Sequence, residues 1–192
     1  MSPSDDAVAA DRLPPIPEAL WTADQRRHAQ PIIDGPRGAL IAPFVPLLRS
    51  PELMAHAQHM GEYLRYRSRI GLRLSELAIL VTSRHWSQPV EWAIHAPIAQ
   101  REGVSADTVD AIAHGRRPTA MLDDEREVHD FCVALHRDQR VGDAVWQAVV
   151  DRHGEAGAVD LIGINGYYTL LAMVMNVART PTPPSDEAPL PV

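Results

Sequence analysis

The sequence has little capacity for disulfide or thiol chemistry, because its 192 residues include a single cysteine, Cys132. One cysteine cannot form a disulfide within the chain. The first 20 residues also lack the basic and then apolar run of a secretory signal, and they contain acids and prolines instead. We therefore expect a cytoplasmic protein.

Basic clusters and membrane-length apolar runs are also missing. The net charge is −7, and no run of Lys or Arg could follow a phosphate backbone, so nucleic acid is not an expected partner. The most apolar stretch, 161–177, contains Asn165 and two glycines, follows Asp160, and falls short of about 20 apolar residues. We expect no membrane partner.

The usual nucleotide-binding and hydrolase signatures are absent as well. There is no glycine-rich phosphate loop, no GxSxG elbow and no kinase signature. His56 and His59 have the spacing of a metal pair on a helix, but neither an HExxH motif nor a Cys/His cluster accompanies them. We therefore predict chemistry without a metal or an organic cofactor.

The pattern that is present is helical, and no strand-like alternation of useful length occurs. Apolar spacing and capping residues predict helices at about 51–66, 74–85, 89–101, 106–114, 123–136, 143–153 and 156–179. With 45% hydrophobic residues, the chain can bury one sizeable core. We predict an all-α bundle of about seven or eight helices, with one domain over 19–179 between a flexible leader (1–18) and a flexible proline-rich tail (180–192).

Two carboxylates and an imidazole stand out in the helical hairpin predicted over 74–101. Glu91 and His95 are four residues apart on one helix face, and Glu76 comes from the preceding helix. They form a candidate acid/base site, because a histidine gains and loses a proton near neutral pH. The alternative is an ordinary polar contact at a helix crossing, with Glu76 as a first-turn acid favoured by the helix dipole. Gln88, at the start of the second helix, is expected about 15 Å from Glu76 along the helix axis. His95 is two turns into the second helix, which shortens this distance, so the meeting of the three side chains depends on His95.

The spacing Glu76-x11-Gln88-x2-Glu91-x3-His95 resembles that of the carboxymuconolactone decarboxylase family. The stretches GPRGALIAPFVPLLRSPELMAHAQHMGEYLRY and VDLIGINGYYTLLAMVMNVAR resemble the lead-in and the closing helix of longer family members, so the resemblance covers about residues 15–178. It implies an alkylhydroperoxidase D-like helical bundle that forms a homo-oligomer, often a trimer or hexamer. The family's thiol peroxidases have cysteines where this chain has Gln88 and Glu91, so a CxxC peroxidase is not expected.

The resemblance leads to our first functional hypothesis, a cofactor-free lyase that decarboxylates a small organic acid or lactone. Its catalytic residues would be His95, Glu91 and Glu76. The residues that we predict to bind the small-molecule substrate flank the loop between the two helices: Arg84, His85, Trp86, Gln88 and Trp92. Four polar residues of the closing helix need partners when buried, and the pattern does not decide which one reaches the pocket: Asn165, Tyr167, Tyr168 and Asn176.

Two other functions stay open at this point. One is a non-catalytic helical oligomer that binds a small apolar molecule, in which Glu91 and His95 only tie helices together. The other is a peroxidase or antioxidant activity like that of the cysteine-containing relatives. Against the latter, Cys132 lies in the helical run FCVAL and is typical of a small core residue.

Overall fold

The computed structural model describes residues 10–35, 38–185 and 188–191. Within these residues the chain is all-α, as predicted, with eight α-helices, one 3₁₀ helix at Glu18–Leu20 and no strand. The α-helices are α1 (Ala23–Asp34), α2 (Phe44–Leu47), α3 (Pro51–Tyr66), α4 (Leu72–His85), α5 (Pro89–Arg101), α6 (Ala106–Ala113), α7 (Asp123–Asp138) and α8 (Asp143–Ala178). The sequence patterns did not identify α1 and α2, which are short or rich in polar residues.

Helix α4 is the centre of the bundle. It contacts α5, α7 and α8 most extensively, and it also contacts α3 and α6. As a result, the ten consecutive residues 74–83 are all buried. Each polar side chain in this stretch must therefore find its partner inside the protein. Thr82 and Ser83 do so by donating to the backbone oxygens of Ala78 (2.9 Å) and Ile79 (2.8 Å).

Several predicted helix boundaries are confirmed by local geometry. The Ser105 hydroxyl accepts from the backbone N–H of Thr108 at 3.1 Å, which caps α6. The predicted break between 153 and 156 is present at Gly154, whose φ of 71° and ψ of 169° interrupt α8. The helix predicted to begin at about 143 is α8, whose first residue is Asp143 and whose N-cap is Gly142.

Parts of both predicted flexible segments contact the bundle. The backbone N–H of Arg12 donates to the carbonyl of Ala178 at 2.8 Å, at the end of α8. Leu190 is buried in the main hydrophobic cluster. Residues 1–9, 186–187 and 192 lie outside the described residues, and the flexibility of the leader and tail stays a prediction.

By length and composition, α8 is the one described helix that could cross a membrane. However, 56% of its most apolar 18-residue window is buried inside the molecule. The core helix of a soluble protein passes the same length and composition criteria, so this feature is weak evidence for a membrane span.

Candidate active site

Glu76, Glu91 and His95 converge in the interior, at the crossing of α4 and α5. The Nδ1 atom of His95 lies 2.6 Å from a carboxylate oxygen of Glu76, and its Nε2 atom lies 3.2 Å from one of Glu91. All three side chains are buried, and that of Glu76 is fully inaccessible to solvent. The imidazole is therefore held between two carboxylates, one at each ring nitrogen.

The helical hairpin explains how residues so far apart in sequence meet. A three-residue loop, 86–88, reverses the chain so that α5 runs back along α4. Gln88 begins the second helix by accepting from the backbone N–H of Val90 at 2.6 Å, and His95 then lies about two turns back toward Glu76. Glu76 is the fifth residue of α4, so the alternative of a first-turn acid is wrong.

The two carboxylates keep His95 in its charged form. Burial lowers the pKa of His95, but the negative charges of Glu76 and Glu91 and their hydrogen bonds outweigh that effect and raise the pKa to about 9. The imidazole is therefore protonated at neutral pH and both ring nitrogens are donors. The buried cluster contains an acid with a proton to transfer.

Arg65, on α3, completes the charge balance of the cluster. One of its terminal guanidinium nitrogens lies 3.8 Å from the second oxygen of Glu76, an ion pair that is longer than a hydrogen bond. With it, two carboxylates face one imidazolium and one guanidinium. The Nε atom of Arg65 is buried and has no hydrogen-bond partner among the described residues. Sequence reasoning missed Arg65, because an arginine near the end of a helix normally points to solvent.

A small cavity of about 20 Å³ adjoins Glu91 and His95. The segment 41–44 covers it on one side, and its other walls come from α3, α5 and α8. Glu76 does not line it. The cavity therefore meets the cluster on the side of Glu91, and Glu76 lies behind the imidazole.

Two tyrosines of α8 form the remaining wall of this cavity, and both were among the four polar residues left open by the sequence. The ring of Tyr168 meets that of His95 edge-on, with 5.1 Å between ring centroids, and Tyr167 packs edge-on against Tyr168 at 5.2 Å. Burial and the charges of Glu91 and Glu76 raise the pKa of Tyr168 well above its ordinary value, so its hydroxyl stays protonated.

The other two polar residues of α8 contact different groups. Asn165 donates to the backbone oxygen of Leu161 at 2.8 Å and to the sulfur of Cys132 at 3.3 Å. Asn176 accepts from the side-chain amide of Gln88 at 2.7 Å. Neither residue lines the cavity beside His95.

The structure does not bring the five predicted substrate-binding residues to the cluster. Arg84 and His85 are at the far end of α4, eight and nine residues from Glu76, which corresponds to about 12 Å along the helix. Trp86 donates to the hydroxyl of Thr169 at 3.1 Å. The remaining two are structural elements of α5: Gln88 is its cap and Trp92 is part of the hydrophobic core. None of the five lines the cavity beside His95, and their role in substrate binding stays a prediction.

Metal-ligand geometry gives no additional site in the described part of the chain. No group of three or more His, Cys, Asp or Glu side chains there is arranged to hold a metal ion. His56 and His59 are both exposed on α3. Neither histidine belongs to the cluster around His95, which consists of Glu76, Glu91, His95 and the nearby Arg65.

Comparison with known proteins identifies the fold. The chain superposes on a crystal structure from Ralstonia eutropha JMP134, described as an alkylhydroperoxidase AhpD core and an uncharacterized peroxidase-related protein. The TM-score is 0.70 over 88% of this chain and 90% of that chain, with 18% sequence identity. Neither the family models nor the curated proteins compared with this chain gave a match. The predicted alkylhydroperoxidase D-like helical fold is therefore confirmed.

Proposed function

We propose that this protein is a cofactor-free lyase that decarboxylates a small organic acid or lactone, with His95 as the proton donor. The observation that supports this proposal is the buried imidazole between Glu76 and Glu91, next to a cavity. A protonated histidine that is shielded from water can deliver its proton to a carbon atom of a bound substrate. The resemblance to carboxymuconolactone decarboxylase supplies the reaction class.

The two carboxylates have different roles in this proposal. Glu76 lies 2.6 Å from Nδ1 on the side away from the cavity, so it fixes the orientation of the ring and stabilises its charge. Glu91 lies beside Nε2 and lines the cavity, so Nε2 is the nitrogen that faces a substrate. Glu76 is therefore a positioning residue, whereas His95 and Glu91 would contact the substrate.

Arg65 replaces Arg84 and His85 as the group that would bind the substrate's second carboxylate or its lactone carbonyl. It lines the cavity together with His95, and its buried Nε lacks a hydrogen-bond partner among the described residues. Guanidinium groups pair with carboxylates through two parallel hydrogen bonds. In the reaction, the bond from carbon to the departing carboxylate breaks and CO₂ leaves. The electron pair passes through the ring double bond to the lactone carbonyl and forms an enolate. The proton on Nε2 of His95 is then transferred to the carbon next to that carbonyl, which leaves His95 neutral.

Substrate entry requires part of the wall to move. A volume of about 20 Å³ holds roughly one water molecule, which is far less than an organic acid needs. The segment 41–44 is the part of the wall that precedes and begins the short helix α2, and it is held by fewer helical hydrogen bonds than α3, α5 or α8. We propose that this segment opens to admit the substrate.

The proposal is tested by incubating the purified protein with 4-carboxymuconolactone and related γ-lactone carboxylic acids in D₂O. NMR would follow the loss of the substrate and the incorporation of deuterium at the carbon next to the lactone carbonyl, where the enolate formed by loss of CO₂ takes up a proton. We expect His95→Ala to reduce kcat by about 100-fold or more, as is usual for removal of a general acid. His59→Ala, on the exposed surface of α3, is the control and should retain full activity. Full activity in His95→Ala would refute the proposal.

A second candidate function is favoured by the small volume of the cavity, about 20 Å³. In a non-catalytic helical oligomer, the buried cluster would only tie α3, α4 and α5 together, and the site would never open. Removing one partner of a buried ion pair costs about 3–5 kcal/mol. If Arg65→Gln and His95→Ala lower stability while no tested substrate is turned over by the wild-type protein, this structural function replaces the lyase.

A thiol peroxidase is the less favoured alternative. The sulfur of Cys132 is fully buried and accepts from the side-chain amide of Asn165, and burial raises the pKa of the thiol to about 12. A thiolate is the form that attacks a peroxide, and it is scarcely populated in such a site. Unchanged peroxide consumption in Cys132→Ser would agree with this assignment.

We also propose that the protein is a cytoplasmic homo-oligomer. Four exposed apolar residues of α3 and α8 form a candidate contact between copies: Met60, Tyr63, Val159 and Ile162. The hydrogen bond of 2.9 Å between Tyr63 and Asp160 holds these two helix faces side by side. Light scattering should give a trimer or hexamer that dissociates on Ile162→Asp. A monomeric wild-type protein would contradict the proposal.

A further inference from the structure

A second and much larger cavity, of about 540 Å³, lies at the far end of α4. It is enclosed by the last residues of α4 and α6, by α7, and by the beginning of α8. It shares no lining residue with the cavity beside His95. Its volume is within the usual range of about 300–1,000 Å³ for small-molecule sites, so it is large enough for an organic ligand without any rearrangement.

The charge of this cavity is opposite to that of the whole protein. The chain has a net charge of −7, yet the described lining includes four arginines against one carboxylate, that of Asp130. The carboxylate of Asp130 is already paired with Arg117, from which it accepts two hydrogen bonds, at 2.7 and 3.2 Å. Local enrichment of guanidinium groups attracts anions, since Arg is charged at every accessible pH.

Arg84 is the guanidinium best placed to bind such an anion. Arg116 and Arg137 are paired with Asp110 and Asp138, which do not line the cavity. Arg84, in contrast, has no carboxylate within 4 Å among the described residues. Among the described residues, the guanidinium of Arg84 makes one hydrogen bond, to the carbonyl of Pro191 at 3.1 Å. A guanidinium has five N–H donors. His85, next to it, also lines the cavity.

The rest of the lining is apolar. Five side chains provide this surface: Val81, Ile112, Val133, Ala134 and Val145. The rings of His85 and His136 stack with 4.6 Å between centroids and an angle of 19° between planes, which adds a flat face. An inorganic anion would use only the cationic edge, whereas an organic acid would also bury its hydrocarbon part against this surface.

We propose that this cavity binds a small organic anion with an apolar body, and that Arg84 pairs with its negatively charged group. The ligand class is a carboxylate carried on a ring or a short hydrocarbon chain. The site is separate from the proton-transfer cluster, and the proposal stands whether or not His95 is catalytic. Arg84 and His85, which the sequence suggested as substrate-binding residues of the catalytic site, would instead serve this second site.

Isothermal titration calorimetry with three probes tests the ligand class. 1-Naphthoate has both the charge and the apolar body, 1-naphthamide lacks the charge, and inorganic phosphate lacks the apolar body. We expect 1-naphthoate to bind with a Kd below about 1 mM and at least tenfold more tightly than either of the other probes. Equal binding of naphthoate and naphthamide, or no binding of naphthoate, would overturn the proposal.

Variants then locate the bound probe. Arg84→Gln should weaken naphthoate binding at least tenfold, and Arg101→Gln, an exposed arginine at the end of α5, is the matched control that should bind like wild type. If Arg84→Gln fails to fold by circular dichroism, Ala134→Glu serves instead, because it adds a carboxylate to the lining. His95→Ala should retain naphthoate binding while it loses turnover. Equal weakening by Arg84→Gln and Arg101→Gln would show unspecific charge attraction and refute the site.

Discussion

Replacing Glu76 by Gln should remove most of the pH dependence that His95 gives to folding stability. The substitution keeps the shape of the side chain but removes the negative charge 2.6 Å from Nδ1. Of the two carboxylates, Glu76 contributes the larger share to the raised pKa of His95, while burial acts in the opposite direction. Without Glu76, only Glu91 opposes burial, which is the largest single influence, so we expect the pKa to fall well below 9.

The magnitude follows from the difference between the folded and the unfolded pKa. His95 has a pKa of about 9 in the folded protein, against 6.5 as its ordinary value. A difference of this size corresponds to about 3 kcal/mol, because one pKa unit is about 1.4 kcal/mol. Since the folded pKa is raised, this stability is fully present below pH 6.5 and is lost as the pH rises through 9. About 2 kcal/mol of it should disappear between pH 7 and pH 9.5.

Few other groups with a shifted pKa affect folding stability between pH 7 and pH 9.5. Burial lowers the pKa of His129, His136 and His153, so their effect on stability lies below pH 6.5. At the alkaline end, the chain has no lysine. Burial raises the pKa of Tyr168 and that of Cys132, the latter to about 12. The ordinary pKa of a thiol is about 9, so Cys132 also lowers stability toward pH 9.5, but it does so equally in the wild type and in Glu76→Gln.

Urea unfolding at both pH values measures the effect. The wild type should lose about 2 kcal/mol more than Glu76→Gln between pH 7 and pH 9.5. Asp110→Asn is the matched control, because it removes an exposed carboxylate 3.2 Å from His114 at the same i, i+4 spacing as Glu91 and His95. The control should follow the wild-type curve to within about 0.5 kcal/mol.

NMR of the imidazole resonances provides an independent reading of the same group. In the wild type, one histidine should titrate near pH 9, and that titration should move to lower pH in Glu76→Gln. Parallel stability curves for wild type and Glu76→Gln, together with no imidazole that titrates above pH 8, would refute the charge assignment of the cluster. The lyase proposal would then lose its proton donor.

Three further predictions concern packing. Gly61→Ala should destabilise the protein by about 1–3 kcal/mol in thermal melts, because a Cβ there would clash with the ring and hydroxyl of Tyr167. The control is Gly166→Ala, where nothing lies within 4 Å of the added Cβ, and it should be neutral or stabilising. Gly154→Ala should cost about 1–3 kcal/mol in urea unfolding, because φ of 71° with ψ of 169° is accessible essentially only to glycine; wild-type stability in this variant would contradict that conformation. Cys132 should resist a thiol reagent until the protein unfolds, and rapid labelling of the native protein would show that its burial is wrong.

The helical class and much of the site were accessible from the sequence because they depend on local patterns. Apolar periodicity and caps identified the helices from α3 onward, and they predicted a break between 153 and 156, where Gly154 interrupts α8. The spacing of Glu76, Glu91 and His95 identified the three side chains that the structure brings together. An i, i+4 pair lies on one face of its helix, and a short hairpin loop packs that helix against the preceding one. Their catalytic role stays a prediction.

The sequence did not indicate which other residues accompany the cluster. Arg65 and the segment 41–44 come from elements far away in the chain, and neither carries a local pattern that differs from a surface arginine or a loop. Arg84 and His85 are close to the motif in sequence, yet α4 carries them to the other end of the bundle. Such long-range placement depends on how whole helices pack, which single-sequence spacing does not encode.

The sequence by itself therefore determined the secondary structure class, the candidate proton-transfer residues and the absence of a cysteine pair, since each depends on residue type and short-range spacing. Only the tertiary structure decided the charge state of His95. Burial removes the imidazole from water, which lowers its pKa, and two carboxylates add fixed negative charge beside it, which raises its pKa. It also placed the arginine-rich cavity away from the cluster, because Arg84, which lines that cavity, is eight residues or about 12 Å from Glu76 along α4.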